Sequence, residues 1–101
     1  MAFRVQFSPK SVEDIENIVE YYLSLNQTVA EEIYNSLIYR AESLNEMAER
    51  GRIVPELLDE GIRKYRELID GRYRIIYRIT DKDVLIIRVI DSRQLLEMIL
   101  E

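Results

Sequence analysis

The feature that most constrains this chain is an alternation of side-chain character between residues 72 and 79. Tyr73, Ile75, Tyr77 and Ile79 fall on one parity, whereas Arg72, Arg74 and Arg78 fall on the other. A period of two belongs to a strand with one face buried and one face polar. Two more β-type segments adjoin it, and two segments of helical period precede all three. The fold class this predicts is α+β. Two N-terminal helices pack on one face of a small, mainly antiparallel sheet, over Tyr73, Ile75, Tyr77 and Ile79, and the other face stays open.

The first strand is expected at Phe3, Val5 and Phe7, which alternate with Arg4 and Gln6. Ser8-Pro9 then reads as a helix start, serine capping and proline taking the first helical position. Val12, Ile15, Ile18, Val19, Tyr22 and Leu23 share one helical face, and Glu13, Asp14, Glu16 and Glu20 lie away from it. Asn26-Gln27 breaks the pattern. Thr28 and Glu31 form a capping-box pattern. The helix they open is expected to bury Ala30, Ile33, Tyr34, Leu37, Ile38, Ala41, Leu44 and Met47, and to stop near Gly51. Tyr21, Tyr22, Tyr34 and Tyr39 are assigned to helix packing. A short amphipathic segment, Leu95, Leu96, Met98 and Ile99, is expected to form a terminal helical turn.

Asp70-Gly71 fits a two-residue type I′ turn, which sets Glu67 opposite Arg74 as an ion pair. The same turn puts Arg63, Tyr65 and Glu67 on the face of Arg72, Arg74 and Arg78. At the next turn, two residues (Asp81-Lys82) would carry Arg88 opposite Ile75 into the core. Three residues (Asp81-Lys82-Asp83) instead pair Ile79 with Leu85, Tyr77 with Ile87 and Ile75 with Val89, and burial cost favours them.

Composition narrows the chemistry. A length of 101 residues, 48% hydrophobic and 33% charged, describes one globular domain, 1–101. The absence of cysteine excludes disulfides and thiolate metal sites, and the absence of histidine removes the commonest general base and metal ligand. No cofactor is implied. No apolar run near the start is long enough for a signal peptide or a membrane span, so a cytoplasmic location is expected. The net charge of −5 is unevenly spread: residues 1–49 hold 3 basic and 9 acidic side chains, whereas residues 50–93 hold 11 and 8. A polyanion would therefore meet the strand half.

Four segments occur in an informative order: Gly51-Arg52-Ile-Val-Pro-Glu-Leu57, Gly61-Ile-Arg63, Tyr73-Arg74-Ile-Ile-Tyr77 and the late Arg93. Together, over nearly the whole chain, they resemble the RelE/ParE superfamily of toxins from toxin–antitoxin pairs. The first two look closer to the ParE-like branch. The resemblance implies a growth-inhibiting toxin neutralised by a cognate antitoxin, as a hetero-oligomer with it. It also implies that the open sheet face meets the target or the antitoxin, making Arg63, Arg74, Arg78, Arg88 and Arg93 the candidate target-binding residues. On periodicity alone a charged face that is simply solvated is the preferred description, and it is the resemblance that reverses the preference.

Two activities follow from the superfamily, and the sequence leaves open whether the protein is an enzyme. One is ParE-like inhibition of DNA gyrase. The other is RelE-like, ribosome-dependent cleavage of mRNA, in which basic residues position the RNA and a late histidine or tyrosine moves protons. Arg74 and Arg93 match basic positions of the second branch. Tyr65 and Glu67, however, stand where its lysines lie, unless a shift of one residue brings in Lys64 and Arg66. Asp91 stands where many members carry histidine. The acid–base candidates left are Glu67, Tyr65 and Asp91, and a carboxylate facing an arginine is more often a structural pair. The inhibitor reading is preferred, with an inactive antitoxin-binding member as a third. Alanine at Arg74, on the open face, is expected to remove charge without harming the fold.

Overall fold

The computed structural model describes residues 2–94, so the terminal turn expected at Leu95, Leu96, Met98 and Ile99 lies outside the described residues. The element order is β1 (Arg4–Phe7), α1 (Pro9–Leu23), α2 (Gln27–Glu42), β2 (Arg52–Ile53), α3 (Pro55–Asp59), β3 (Tyr65–Asp70), β4 (Tyr73–Ile79) and β5 (Asp83–Asp91). The five strands form one sheet in the order β1-β5-β4-β3-β2. Only β1 and β5 run parallel; the other neighbours are antiparallel. Both α1 and α2 pack on one face, as the alternation predicts. Ile15, Leu37, Ala41 and Leu44 meet Ile75, Tyr77, Val84, Ile86 and Val89 there, with Phe3, Val5 and Phe7 of the first-strand segment at the margin.

Ser8 caps α1, its Oγ accepting from the Ser11 N–H at 3.0 Å, with Pro9 in the first turn. The start of α2 differs from the expected capping box. Asn26 is the cap, its Oδ1 accepting from the Val29 N–H at 3.1 Å, and Thr28 lies inside the helix. Asparagine caps at least as well as threonine, and here it comes first.

The helix ends at Glu42, well short of Gly51, and two 3-10 turns follow, Ser43–Asn45 and Ala48–Arg50. Met47 sits between them at φ 52°, in the left-handed region. Beyond Glu42 the helical period no longer governs, so Leu44 is buried as expected but Met47 is exposed. The apolar stripe is also narrower than its residue types imply. Val12, Tyr21, Leu23, Tyr34 and Tyr39 are exposed, whereas Asp14 is buried.

Both strand turns depart from the expected register. Asp70 pairs with Tyr73, so the turn is Gly71-Arg72 and not Asp70-Gly71. Gly71 alone takes a positive φ, +60°, as a II′-type hairpin requires at its first central position. Asp70 is held in the strand by Ser36, whose hydroxyl donates to its carboxylate at 2.8 Å. The shift moves Glu67 opposite Ile76. Because the pairing moves by two positions, every side chain keeps its face.

Between β4 and β5 the turn is the shorter one, Asp81-Lys82, closed by Thr80 N–H donating to Asp83 O at 2.9 Å. Ile75 pairs with Val89 as expected, but Tyr77 pairs with Ile86 and Ile79 with Val84. A register break between Ile76 and Tyr77 leaves Ile87 as an extra residue on β5. This β-bulge lets the tight turn form and still keeps Arg88 from opposing Ile75. The two requirements conflict only in a regular ladder.

The second face of the sheet is partly covered instead of open. Val54 and Leu57, at the start of and within α3, close over Ile76 and Ile90. Pro55 in the first turn of α3 supplies a preset φ, and Val54 N–H bonds Tyr65 O at 3.1 Å.

A single hydroxyl joins the two layers near β2. Tyr77 is fully buried, and its Oη donates to Ala48 O at 2.6 Å while accepting from the Gly51 N–H at 3.0 Å. A Cβ on Gly51 would collide with the Tyr77 hydroxyl and lie 2.7 Å from Glu67 O, so only glycine fits. Tyr77→Phe strands a buried donor and acceptor and is expected to lose about 1–3 kcal/mol. Gly51→Ala, which forces this contact apart, should lose a similar ~1–3 kcal/mol by overpacking. Urea denaturation of both variants checks this; an unchanged midpoint for Tyr77→Phe would show that the hydroxyl bonds are dispensable.

Candidate functional site

The second face of the sheet is built around a buried carboxylate. Glu67 has 0% of its side chain exposed. It lies between Arg74 (Nε to Oε1, 2.6 Å) and Arg52 (Nε to Oε2, 2.6 Å). Arg74, itself 6% exposed, spends its other two nitrogens on Glu56, donating to Oε2 at 2.6 Å and Oε1 at 2.7 Å. The result is a bidentate fork on one carboxylate and a single bond to another. The expected pair of Glu67 with Arg74 is therefore present, as a diagonal contact and not a directly opposed one.

These bonds tune both partners. Hydrogen bonding to the Arg74 guanidinium holds the Glu56 carboxyl below its usual value, against the opposing effect of partial burial. The same bond to Glu56, reinforced by Glu67, pushes Arg74 above the usual guanidinium range.

Arg88 is committed elsewhere. Its guanidinium makes a two-nitrogen contact with Asp14 of α1, at 2.7 and 2.8 Å. Asp14 Oδ2 also accepts the Val89 N–H at 3.0 Å. Past the end of β1, a helix side chain thus takes the place of the next strand. Asp14 was expected on the solvent face; its spacing from Ser11 and Ile18, at i−3 and i+4, is the signal that places it inward.

Arg93 and Arg72 converge on Asp91. Arg93 contributes its backbone N–H at 2.9 Å and its Nε at 3.1 Å to Oδ1, and Arg72 Nε reaches Oδ2 at 2.9 Å. Arg93, through its side chain and backbone, and then Arg72, hold the Asp91 carboxyl far below the carboxylate range.

Arg63 and Arg78 differ from these. Among the described residues neither makes an ion pair. Arg63 is exposed just ahead of β3, and Arg78 is half-buried opposite Tyr65. Lys64 lies 5.3 Å from the centre of the Tyr65 ring, within cation–π range. This end of the outer face offers cations and an aromatic ring, with no ion pair to a carboxylate at Arg63 or Arg78 among the described residues.

The five predicted arginines are therefore not one constellation. Arg74 and Arg88 join elements of the fold, Arg93 binds Asp91, and Arg63 and Arg78 are uncommitted. Sequence reading placed Arg52 and Glu56 in a family motif but gave neither a part in this network. An acidic residue after a proline in a five-residue helix carries no periodic signal, and Arg52 sits in a two-residue strand. Among the described residues no group of three or more acidic side chains is arranged to hold a metal ion. No helix among them is long and apolar enough to cross a membrane.

Comparisons with known proteins bear on this geometry. A family model described as the ParE toxin of the type II toxin–antitoxin system, parDE, matches residues 5–96. A solved chain from the chromosomal ParDE TA system of P. aeruginosa superimposes with a TM-score of 0.74. It is 17% identical, and the match covers 89% of this chain and 96% of that one. No curated protein matches significantly.

The expectation that Arg74 can be truncated harmlessly is overturned by its burial. Arg74→Ala leaves Glu67 with one partner and is expected to cost about 3 kcal/mol or more. The Glu56 interaction also makes stability depend on pH. Its folded pKa is depressed, so the contribution is complete above the unfolded carboxyl value, about 4.3, and is lost as pH falls through the folded value. Denaturation curves from pH 6 to 3, a range of about three units spanning that value, should show a shallower acid loss in Glu56→Gln than in the parent. Parallel curves would remove Glu56 from the acid response.

Proposed function

The chain belongs to the ParE toxin family of type II toxin–antitoxin systems, and on that premise we propose that it inhibits DNA gyrase and is neutralised by a cognate antitoxin. The observation that carries the choice of inhibitor over ribonuclease is the state of the acid–base candidates. Glu67 is enclosed between two arginines with no exposed side chain. Asp91 is held ionised by Arg93 and Arg72 and cannot donate a proton near neutral pH. Tyr65 lies beside the Lys64 ammonium, and among the described residues no hydrogen bond joins its hydroxyl to a carboxylate that could relay its proton. Proton transfer typically supplies about 10²–10⁴-fold in rate, so a nuclease with these groups would be slow.

In this reading the target contact lies at the uncommitted end of the outer face. Arg63 and Arg78 make the charged contacts there, beside Lys64 and Tyr65; the exposed Arg93, paired with Asp91, stands toward the opposite end of β4. Arg74 and Arg88 act through the fold, the first by fixing α3 and the second by fixing α1 against β5. Guanidinium groups suit either a carboxylate-bearing protein surface or phosphate, so the same face serves a gyrase complex. The antitoxin accounts for the exposed apolar side chains as a strip laid across them.

A supercoiling assay with purified gyrase tests the target. Inhibition is expected, weakened roughly tenfold or more in an Arg63→Ala/Arg78→Ala double variant that retains the parent melting temperature. Rapid cleavage of mRNA on programmed ribosomes, with gyrase untouched, would promote the ribonuclease reading.

A further inference from the structure

Two cavities meet where β4 begins, and Tyr22, Arg72 and Tyr73 line both. The two tyrosine hydroxyls touch there at 3.3 Å. The larger cavity, of about 490 Å³, has charged walls whose charges answer one another. Lys10 pairs with Glu13, Arg88 with Asp14 and Arg72 with Asp91. Walls neutralised in this way give a ligand's charge little to act on.

The smaller cavity, of about 350 Å³, lies between α2 and the β3–β4 turn and is built differently. Ile33, the buried Leu37 and the rings of Tyr22 and Tyr73 make its walls mostly apolar. Two carboxylates, Glu32 and Asp70, share the lining. Glu32 stands one helical turn before Ser36, at i+4 spacing. Ser36 in turn holds Asp70 from across the cavity, its hydroxyl donating to Oδ2 at 2.8 Å. Among the described residues neither acid makes an ion pair. Arg40, a turn further along α2, donates to the carbonyl of Ile69 at 2.9 Å, and Arg72 is turned to Asp91 at 2.9 Å. Glu32 is exposed and Asp70 half-buried, which sets the acids toward the mouth and the apolar groups toward the floor.

That combination selects a class of ligand. An anion would meet two carboxylates that carry no counter-charge, and a neutral apolar molecule would leave both without a partner. A small organic cation satisfies both parts. Its body covers the apolar floor, and its ammonium donates to Glu32 and Asp70 in charge-assisted hydrogen bonds. The two tyrosine rings add attraction for the positive charge. We propose that the cavity between α2 and the β3–β4 turn binds a small apolar amine in its protonated form. The bound amine bridges α2 and the turn, so occupancy stabilises the fold by linkage. The proposal rests neither on gyrase as the target nor on the antitoxin.

The probes are tryptamine, tryptophol and indole-3-propionate, which share a ring system and are positive, neutral and negative. Titration of the intact, isotope-labelled protein by NMR is expected to show saturable shifts at the Ser36, Gly71 and Tyr73 amides with tryptamine. Tryptophol should bind about tenfold or more weakly, and indole-3-propionate should not saturate. Glu32→Gln/Asp70→Asn removes both charges while keeping an oxygen for the Ser36 hydroxyl, and should weaken tryptamine binding about tenfold or more. Glu16→Gln/Glu20→Gln removes equal charge from exposed positions of α1 and should bind tryptamine as the parent does. The melting temperature of the parent should rise with tryptamine concentration, and that of Glu32→Gln/Asp70→Asn should not.

Equal affinity for tryptamine and tryptophol would overturn the proposal, because the carboxylates would then select nothing. Parent-like affinity in Glu32→Gln/Asp70→Asn would do the same. Equal weakening in the two double variants is the signature of unspecific attraction to an acidic protein and also sinks the site. So does the absence of saturable shifts at Ser36, Gly71 and Tyr73 up to the solubility limit of tryptamine.

Discussion

Glu67 exposes none of its side chain, and an ionised carboxylate cannot stay there alone. Its two oxygens draw in Arg52 from β2 and Arg74 from β4. Arg74 is thereby buried as well, and its remaining donors need acceptors of their own. Glu56 supplies them from the first turn of α3. Once Glu56 is fixed, Leu57 comes down beside Ile76 and Ile90, and the outer apolar cluster closes. The sequence of dependence runs from one buried charge to the position of a whole element. Such networks often add little net stability relative to apolar packing; here the consequence is where α3 sits.

The arginines that alternate so regularly along the strands consequently serve unlike ends. Where a guanidinium has a carboxylate from another element, it works as a clamp, as Arg74 does with Glu56 and Arg88 with Asp14. Where it makes no ion pair among the described residues, as with Arg78 and Arg63, it ties no elements together. Residue type and parity are identical in the two cases. What separates them is whether a short helix or the first helix brings an acid to the spot.

The same distinction explains how far the sequence could be read. Face assignment on β4 was legible, because Tyr73, Ile75, Tyr77 and Ile79 keep their face under any register shift of two. The α+β arrangement and the family likeness followed from that pattern and from the spaced motifs around Gly51 and Tyr73. Turn position was not legible, since it depends on Ser36 holding Asp70 from another element. The Ile87 bulge escaped because parity reasoning assumes an unbroken ladder. Asp14 was misplaced although its spacing from Ser11 and Ile18 could have placed it, and Glu56 had no such spacing to offer. The candidate arginines were found as a set, but their division into clamps and free cations is set by contacts distant in sequence.

The separation of the acidic hairpin from the more basic strand half gives the molecule a direction. With 3 basic and 9 acidic side chains in residues 1–49 and 11 and 8 in residues 50–93, the field around it is lopsided while the net charge is only −5. A charged body approaching through dilute salt exerts a torque on such a protein before it exerts any contact. Anionic surfaces turn the sheet toward themselves, and cationic ones turn the helices. Beyond about 8–10 Å at physiological ionic strength this orienting effect fades. Encounter geometry thus becomes a property of the surrounding electrolyte as much as of the protein.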